Sequence, residues 1–301
     1  MVMRKNRMRR NLRRTILRSL GDGRTPLNAM IVASLSNVVL AVFQQTFLAP
    51  FYLFAKELAE SGKIGKEAYA KLHHDMQHFV SEATVEQLEQ IKAAKTPDGY
   101  DYSDCFKHVK EEISRADVAV ANLEVTLGGQ PYRGYPAFSA PDEFLYAIKD
   151  AGFDVLLTAN NHCLDRGKKG LERTILMLDS LQLPYAGTYV DSEARLRRYP
   201  LLVEKNGFRI ALLAYTYATN GLSPVAPTLV NYIDKEQMKE DILAARRMNP
   251  DVIIGCMHWG VEYRSLPEKA EKELADWLIE QGVDHVIGSH PHVLQPMEVK
   301  A

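Results

Sequence analysis

Asp284-His285-Val286-Ile287-Gly288-Ser289-His290-Pro291-His292 is an apolar run that stops at a Gly-Ser pair and two histidines. The apolar half reads as a buried strand, and the Gly-Ser pair as the start of a loop. In extended chain, residues two apart share a side, so His290 and His292 aim at one point. Pro291 holds the segment extended and out of a helix. Two imidazoles at one strand end form a metal claw, provided the rest of the chain supplies further ligands.

Working outward, the same pattern recurs three times. Val118-Ala119-Val120-Ala121 runs into Asn122-Leu123-Glu124. Phe153-Asp154-Val155-Leu156-Leu157-Thr158 runs into Ala159-Asn160-Asn161-His162. The strand expected over 251–256 runs into Met257-His258-Trp259-Gly260. Core packing does not require a polar group just beyond each apolar strand. In open α/β sheets, sites form at the carboxyl ends of strands, which is where all four sets fall.

Helical spacing fills the intervals. Phe144, Leu145, Ile148 and Ala151 share one helix face, as do Leu171, Ile175, Leu178 and Leu181. Further helices are predicted over 103–113, 234–248 and 268–281. Asn206-Gly207, between two extended runs, is a hairpin turn, and Thr96-Pro97-Asp98-Gly99 is a turn. Strands alternating with helices, interrupted by one hairpin, predict an α/β fold: a mixed-sheet α/β sandwich with helices on both faces.

The chain has 301 residues, 46% hydrophobic and 25% charged, the profile of a protein that buries a core. Its net charge of -1 gives no global signature of nucleic-acid binding. Cys105, Cys163 and Cys256 form no CxxC pair and no disulfide framework, so they read as reduced and buried. Charge is uneven. Residues 1–25 form a basic tail, and residues 26–55 are largely apolar, interrupted by Asn37, Gln44, Gln45 and Pro50. A basic flank before an apolar run suits a signal-anchor with its positive end inside. An amphipathic or buried helix behind a basic tail is the competing reading. Residues 56–95 are charged and helix-prone, and residues 96–301 form the α/β domain.

The strand-end residues make a coherent donor set. Imidazoles, a carboxylate and an amide oxygen suit a divalent ion of the manganese, iron, zinc or nickel class, one or two in number. Such ions polarise phosphoryl oxygens and acidify water. His162 is placed to act as general acid toward a leaving oxygen. Each residue also has a plainer role open to it. Asn160 and Asn161 suit a turn, His258 suits a packed position beside Trp259, and Glu124 suits a cap or an ion pair. His73, His74, His78, His108 and His285 follow no strand and are read as surface or structural.

Taken in order, Asn122-Leu123-Glu124, Ala159-Asn160-Asn161-His162 with Leu164-Asp165-Arg166-Gly167, His258-Trp259-Gly260 and Gly288-Ser289-His290-Pro291-His292 resemble the bacterial capsule-synthesis CapA family. That family is linked to poly-γ-glutamate capsule formation, and its domain is similar to calcineurin-like metallophosphoesterases. The resemblance runs from about Thr96 to Ala301. It implies metal ligation by Asn161, His258, His290 and His292, a bridging acid at Glu124, and an acid or transition-state role for His162. It also implies a first strand ending in Gly-Asp, whose aspartate binds metal. Gly21-Asp22 lies far upstream, and Asp75, within His73-His74-Asp75-Met76-Gln77-His78, is one place out of register. Asp75 is carried as the candidate for that ligand. The family domain also continues beyond Gln295-Pro296-Met297-Glu298, so its first and last strands are unaccounted for.

The expectation is a capsule or poly-γ-glutamate biosynthesis protein of the cell envelope with a metal-dependent phosphoesterase-type centre. Its substrate would be phosphorylated or polymeric, bordered by Arg133 and Tyr135 in the loop 128–141, and its partners membrane proteins of a capsule synthesis complex. The alternative is a non-catalytic envelope component that keeps the fold with an incomplete metal site.

Overall fold

A computed structural model describes the backbone of residues 30–34, and residues 94–293, 295, 296 and 298. Asp75 and Asp22 lie outside the described residues, as does most of the apolar stretch 26–55. Among the described residues, no helix is long and apolar enough to cross a membrane.

Two four-stranded sheets carry the fold. The first consists of β1 (Met30–Ser34), β4 (Val118–Asn122), β5 (Val155–Leu157) and β6 (Tyr185–Ala186), in that order and parallel throughout. The second is mixed. In it β12 (His285–Ser289), β11 (Val252–His258) and β9 (Phe208–Thr216) run parallel, and β8 (Leu201–Lys205) closes the edge antiparallel to β9. A strand therefore stands at the edge of the first sheet, beside β4, but it ends at Ser34 and not in Gly-Asp. It comes from inside the stretch read as an anchor or helix, where β1 pairs with β4 from Met30 opposite Val118 to Ser34 opposite Asn122. A short apolar run has no period of its own, and the partner strand selects the extended form.

Side-chain alternation explains the layering. Val118 and Val120 point into the core shared with Ala211, Leu213 and Ile254 of the second sheet. Ala119 and Ala121 point to the opposite side, against Leu145 and Ile148 of α2 (Asp142–Asp150) and Leu171, Ile175 and Leu178 of α3 (Gly167–Ser180). The period of two along β4 thus places the sheet between a second sheet and a helical layer. On the second sheet, Met238, Ile242 and Ala245 of α5 (Lys235–Arg247) and Leu278 of α6 (Lys269–Glu280) join the same core.

Smaller elements complete the chain. The turn at Pro97-Asp98 joins β2 (Lys95–Thr96) to β3 (Gly99–Tyr100). The helix predicted from Ser103 splits into a single 3-10 turn, Ser103–Cys105, and α1 (Lys110–Ser114), so Phe106 and Ile113 reach the core from separate pieces. Short β7 (Thr188–Tyr189) pairs with β10 (Leu229–Val230), and α4 (Ser192–Arg198) is capped by Asp191, which accepts from the Ala194 N–H. The Asn206-Gly207 turn joins β8 to β9 with both residues at positive φ, as a tight two-residue hairpin requires. Cys163 and Cys256 are buried free thiols, each pushed up to about 12 by burial, while Cys105 is only half-buried.

Candidate metal centre

The carboxyl ends of β4, β5, β11 and β12 converge. Glu124, His258 and His290 are 1%, 2% and 5% exposed, and one ligand atom from each lies within 4.8 Å of the others. Glu124 Oε1 is the hub, at 3.6 Å from His258 Nε2 and 3.8 Å from His292 Nε2. Asn161 Oδ1 lies 2.9 Å from His258 Nε2. The rings of His258 and His290 are 4.8 Å apart between centroids, and those of His290 and His292 are 6.0 Å apart. The structure thus brings together Glu124, Asn161, His258, His290 and His292.

The two terminal histidines get there by a different route from the one expected. Strand β12 stops at Ser289, and His290 and His292 have φ of 95° and 55°. They converge through a left-handed kink on either side of Pro291, not through strand alternation. Non-glycine residues rarely hold that conformation, and it persists only where the surroundings enforce it. Here Trp259 N–H donates to Ser289 O and Tyr263 N–H donates to Pro291 O, tying the loop after β12 to the loop after β11.

A buried amide frame holds the ligands. Asn122, the last residue of β4, donates to Glu124 Oε2 at 3.0 Å, and its Nδ2 lies 3.3 Å from His258 Nδ1. Asn160 donates to Asn122 Oδ1 and to Leu123 O, and accepts from the His162 N–H. Asn160 is therefore the turn residue its plainer reading allowed, and Asn161 is the one that faces the histidines. Ser289 Oγ lies 3.1 Å from His258 Nδ1. These bonds pair the buried amides of the frame. His290 Nδ1, by contrast, is buried with no hydrogen-bond partner.

Electrostatics agree with a site built for neutral imidazoles. Burial pushes His258 down to about 3, with Glu124 opposing and the neighbouring histidines adding to the shift. Burial also lowers His290, again against Glu124. Uncharged imidazole is the form that ligates a metal.

His162 lies just beyond this cluster. Its Nδ1 is 2.7 Å from Asp165 Oδ2, and Asp165 also accepts from the Phe138 N–H. Asn220 Nδ2 approaches the same ring at 3.4 Å, and Asn220 Oδ1 accepts from Asn161 Nδ2. The Phe138 ring meets His162 edge-on at 4.6 Å, and Tyr135 meets Phe138 at 6.4 Å. Tyr135 is 62% exposed, and Arg133 is exposed on a loop pinned by backbone bonds in both directions with Ser139. Sequence reading gave no role to Asn122, Asp165, Asn220, Ser289 or Glu262. Asn122, Asp165 and Ser289 stand within the strand-end motifs, and Asp165 lies three residues after His162. Nothing local signals Asn220 or Glu262, whose partners are distant in the chain.

The family model described as Bacterial capsule synthesis protein PGA_cap matches residues 68–301. The chain belongs to this family. The match begins upstream of Thr96, so it reaches further than the motifs alone. The Capsule biosynthesis protein CapA of Bacillus anthracis is 31% identical over 220 residues, 67% of this chain and 51% of the relative. The PGA biosynthesis protein CapA of Bacillus subtilis (strain 168) is 31% identical over 169 residues, 52% of this chain and 41% of the relative. The chain thus spans about half the length of these relatives. Among solved structures, Haemophilus influenzae NAD nucleotidase (NadN) is similar at 17% identity and a TM-score of 0.39, over 62% of this chain and 35% of that one.

Proposed function

We propose that this capsule-synthesis family member acts in making capsule polymer or poly-γ-glutamate at the cell envelope, through a metal-dependent phosphoesterase-type centre on a metallophosphoesterase-like sandwich. The observation that carries the reading is the convergence of Glu124, His258 and His290, with His290 Nδ1 buried and unpartnered.

The donors fit a divalent transition ion. The N···O separations of 3.6 and 3.8 Å at Glu124 Oε1 are too long for hydrogen bonds. Two donors each ~2.1 Å from one ion stand ~3.4 Å apart at a tetrahedral angle, close to what is seen. Glu124, Asn161, His258, His290 and His292 would hold the ion or ions, and Asp75 stands as a candidate outside the described residues. A bound ion would supply polarisation of a phosphoryl oxygen and acidification of water.

The chain's own residues do the rest. Asp165 fixes the His162 ring, so that the other ring nitrogen exchanges a proton with a substrate oxygen. Arg133, exposed on the same loop as Tyr135 and Phe138, would pair with an anionic group of a phosphorylated or polymeric substrate, with Tyr135 beside it. Membrane proteins of a capsule synthesis complex are the proposed partners.

A second reading, a non-catalytic envelope component with an incomplete site, is favoured by one observation. Strand β1 ends at Ser34, and no acidic residue lies between Asp22 and Glu57. The end of that strand therefore offers no carboxylate. Hydrolysis of an aryl phosphate with added manganese separates the two. The catalytic reading predicts turnover that a His290→Ala/His292→Ala variant loses. Equal background rates in both proteins support the non-catalytic component.

A further inference from the structure

The geometry points to an apolar leaving-group site: the loop that leaves β9, residues 217–227, receives the alcohol portion of a phosphoester whose phosphoryl group sits at the metal centre. This rests on the phosphoesterase-type reading above and names its substrate class, a phosphoester of an apolar alcohol. Among the described residues, more than half of the large apolar side chains left exposed stand on three loops at strand ends. Tyr135 stands on the loop after β4. Tyr217, Leu222 and Val225 stand on the loop after β9, with Leu222 47% and Val225 59% exposed. Val261, Tyr263 and Leu266 stand on the loop after β11. Exposed apolar side chains scattered singly need no explanation, but a cluster at one end of the sheets marks a binding surface.

The loop after β9 touches both halves of the centre. The Tyr217 N–H donates to His258 O, and the Tyr217 ring lies 4.9 Å from that of His290 and within 15° of parallel to that of His258. Three residues on, Asn220 reaches the His162 ring and Asn161. His162 gives its proton to the leaving oxygen, so the group that oxygen carries lies beside the loop that holds Asn220. Buried Thr219 bonds through Oγ1 to Leu222 O and the Tyr232 hydroxyl, and the Leu222 N–H donates to Thr219 O, so the loop is held in place. Its chemistry is one-sided. Residues 217–227 contain no acidic or basic side chain, and Lys168, which reaches the loop, is engaged by Ala226 O and Glu172. An anionic group lying there would find no cation of the loop's own, whereas an alkyl chain gains by covering Leu222 and Val225. The Tyr263 ring, 5.9 Å from that of His292, adds an apolar face from the loop after β11.

Calorimetric titration of the Mn²⁺-loaded chain with ethylphosphonate and hexylphosphonate tests this, since both carry the same anionic head and resist hydrolysis. The wild type should bind hexylphosphonate about 10-fold or more tighter, part of what the longer chain gains on full burial. Leu222→Ser/Val225→Ser should bring hexylphosphonate to within about 3-fold of ethylphosphonate and leave ethylphosphonate unchanged, while Leu222→Met/Val225→Ile keeps the preference. Equal affinity of the wild type for the two phosphonates would overturn the apolar site and leave the metal centre standing. A preference that survives the serine pair would overturn its placement on this loop. Binding of neither phosphonate would overturn the phosphoesterase-type reading and this site with it. Given the hexyl preference, sedimentation with phosphatidylcholine vesicles, with and without phosphatidic acid, identifies the alcohol. Capture only by vesicles holding phosphatidic acid assigns it to a lipid, and no capture assigns it to a soluble ester. Capture by plain phosphatidylcholine with no phosphonate preference would overturn the site in favour of a membrane-facing surface.

Discussion

At the residue scale, His258 and Asp165 are the informative positions. His258 is held neutral by burial, and its folded pKa of about 3 lies below the ordinary value of 6.5. The unfolded chain therefore binds a proton that the folded chain refuses between those limits. Stability rises with pH through that window and is lost as pH falls from about 6.5 toward 3. Denaturant titrations of chelator-treated protein at pH 7 and pH 4.5 should show this loss, and His258→Gln should flatten it. An equal pH slope in the variant would count against the assignment. Asp165 acts through His162. Asp165→Asn should lower kcat on an aryl phosphate about 100-fold with metal content unchanged, measured by steady-state kinetics beside elemental analysis. Glu124, Asn161, His258, His290 and His292 were legible in the sequence because each follows an apolar strand, and strand ends meet in an α/β sheet. Asn122 and Asn220 were not. Asn122 bonds to Asn160 and Asn220 to Asn161, 38 and 59 residues away, and only the fold creates those pairs.

At the scale of elements, strands and hairpin were readable where a period or a turn dipeptide marked them. Helix α5 lies within a residue of its predicted bounds, and the β8–β9 hairpin turns where Asn206-Gly207 marks it. The misses have physical causes. Strand β1 lay inside an apolar run with no alternation to distinguish it, and α4 and the β7–β10 pair are too short to show a period. The kink at His290 and His292 is set by tertiary bonds to the loop after β11, which local propensity does not report. One glycine is decisive for placing the site. Gly187, at φ 128°, sits where an added Cβ would stand 2.3 Å from the Ala159 backbone nitrogen, beside Asn160. Gly187→Ala should therefore destabilise the protein by about 2 kcal/mol or more and reduce metal affinity, read by chemical denaturation and Mn²⁺ titration. A neutral result would mean that the β5 and β6 ends need not approach so closely. By contrast Asp234→Ala, which removes a cap that accepts from the Gln237 N–H, should cost only about 1 kcal/mol and leave metal binding intact.

At the scale of the molecule, the candidate centre joins the two sheets. Glu124 and Asn161 follow strands of the first sheet, and His258, His290 and His292 end or follow strands of the second. An ion held by both sets links the two layers, so binding should stabilise the fold as a whole. Free Mn²⁺ at 100 times its Kd should raise the melting temperature by roughly 5 to 10 °C over chelator-treated protein, and the His290→Ala/His292→Ala variant should show no such rise. That shared dependence would make the site part of what holds the sandwich together. The most direct measurement is the metal content of the purified protein by elemental analysis, wild type against the His290→Ala/His292→Ala variant. The structure predicts at least one transition metal per chain in the wild type and its loss in the variant. Equally little metal in both would contradict it.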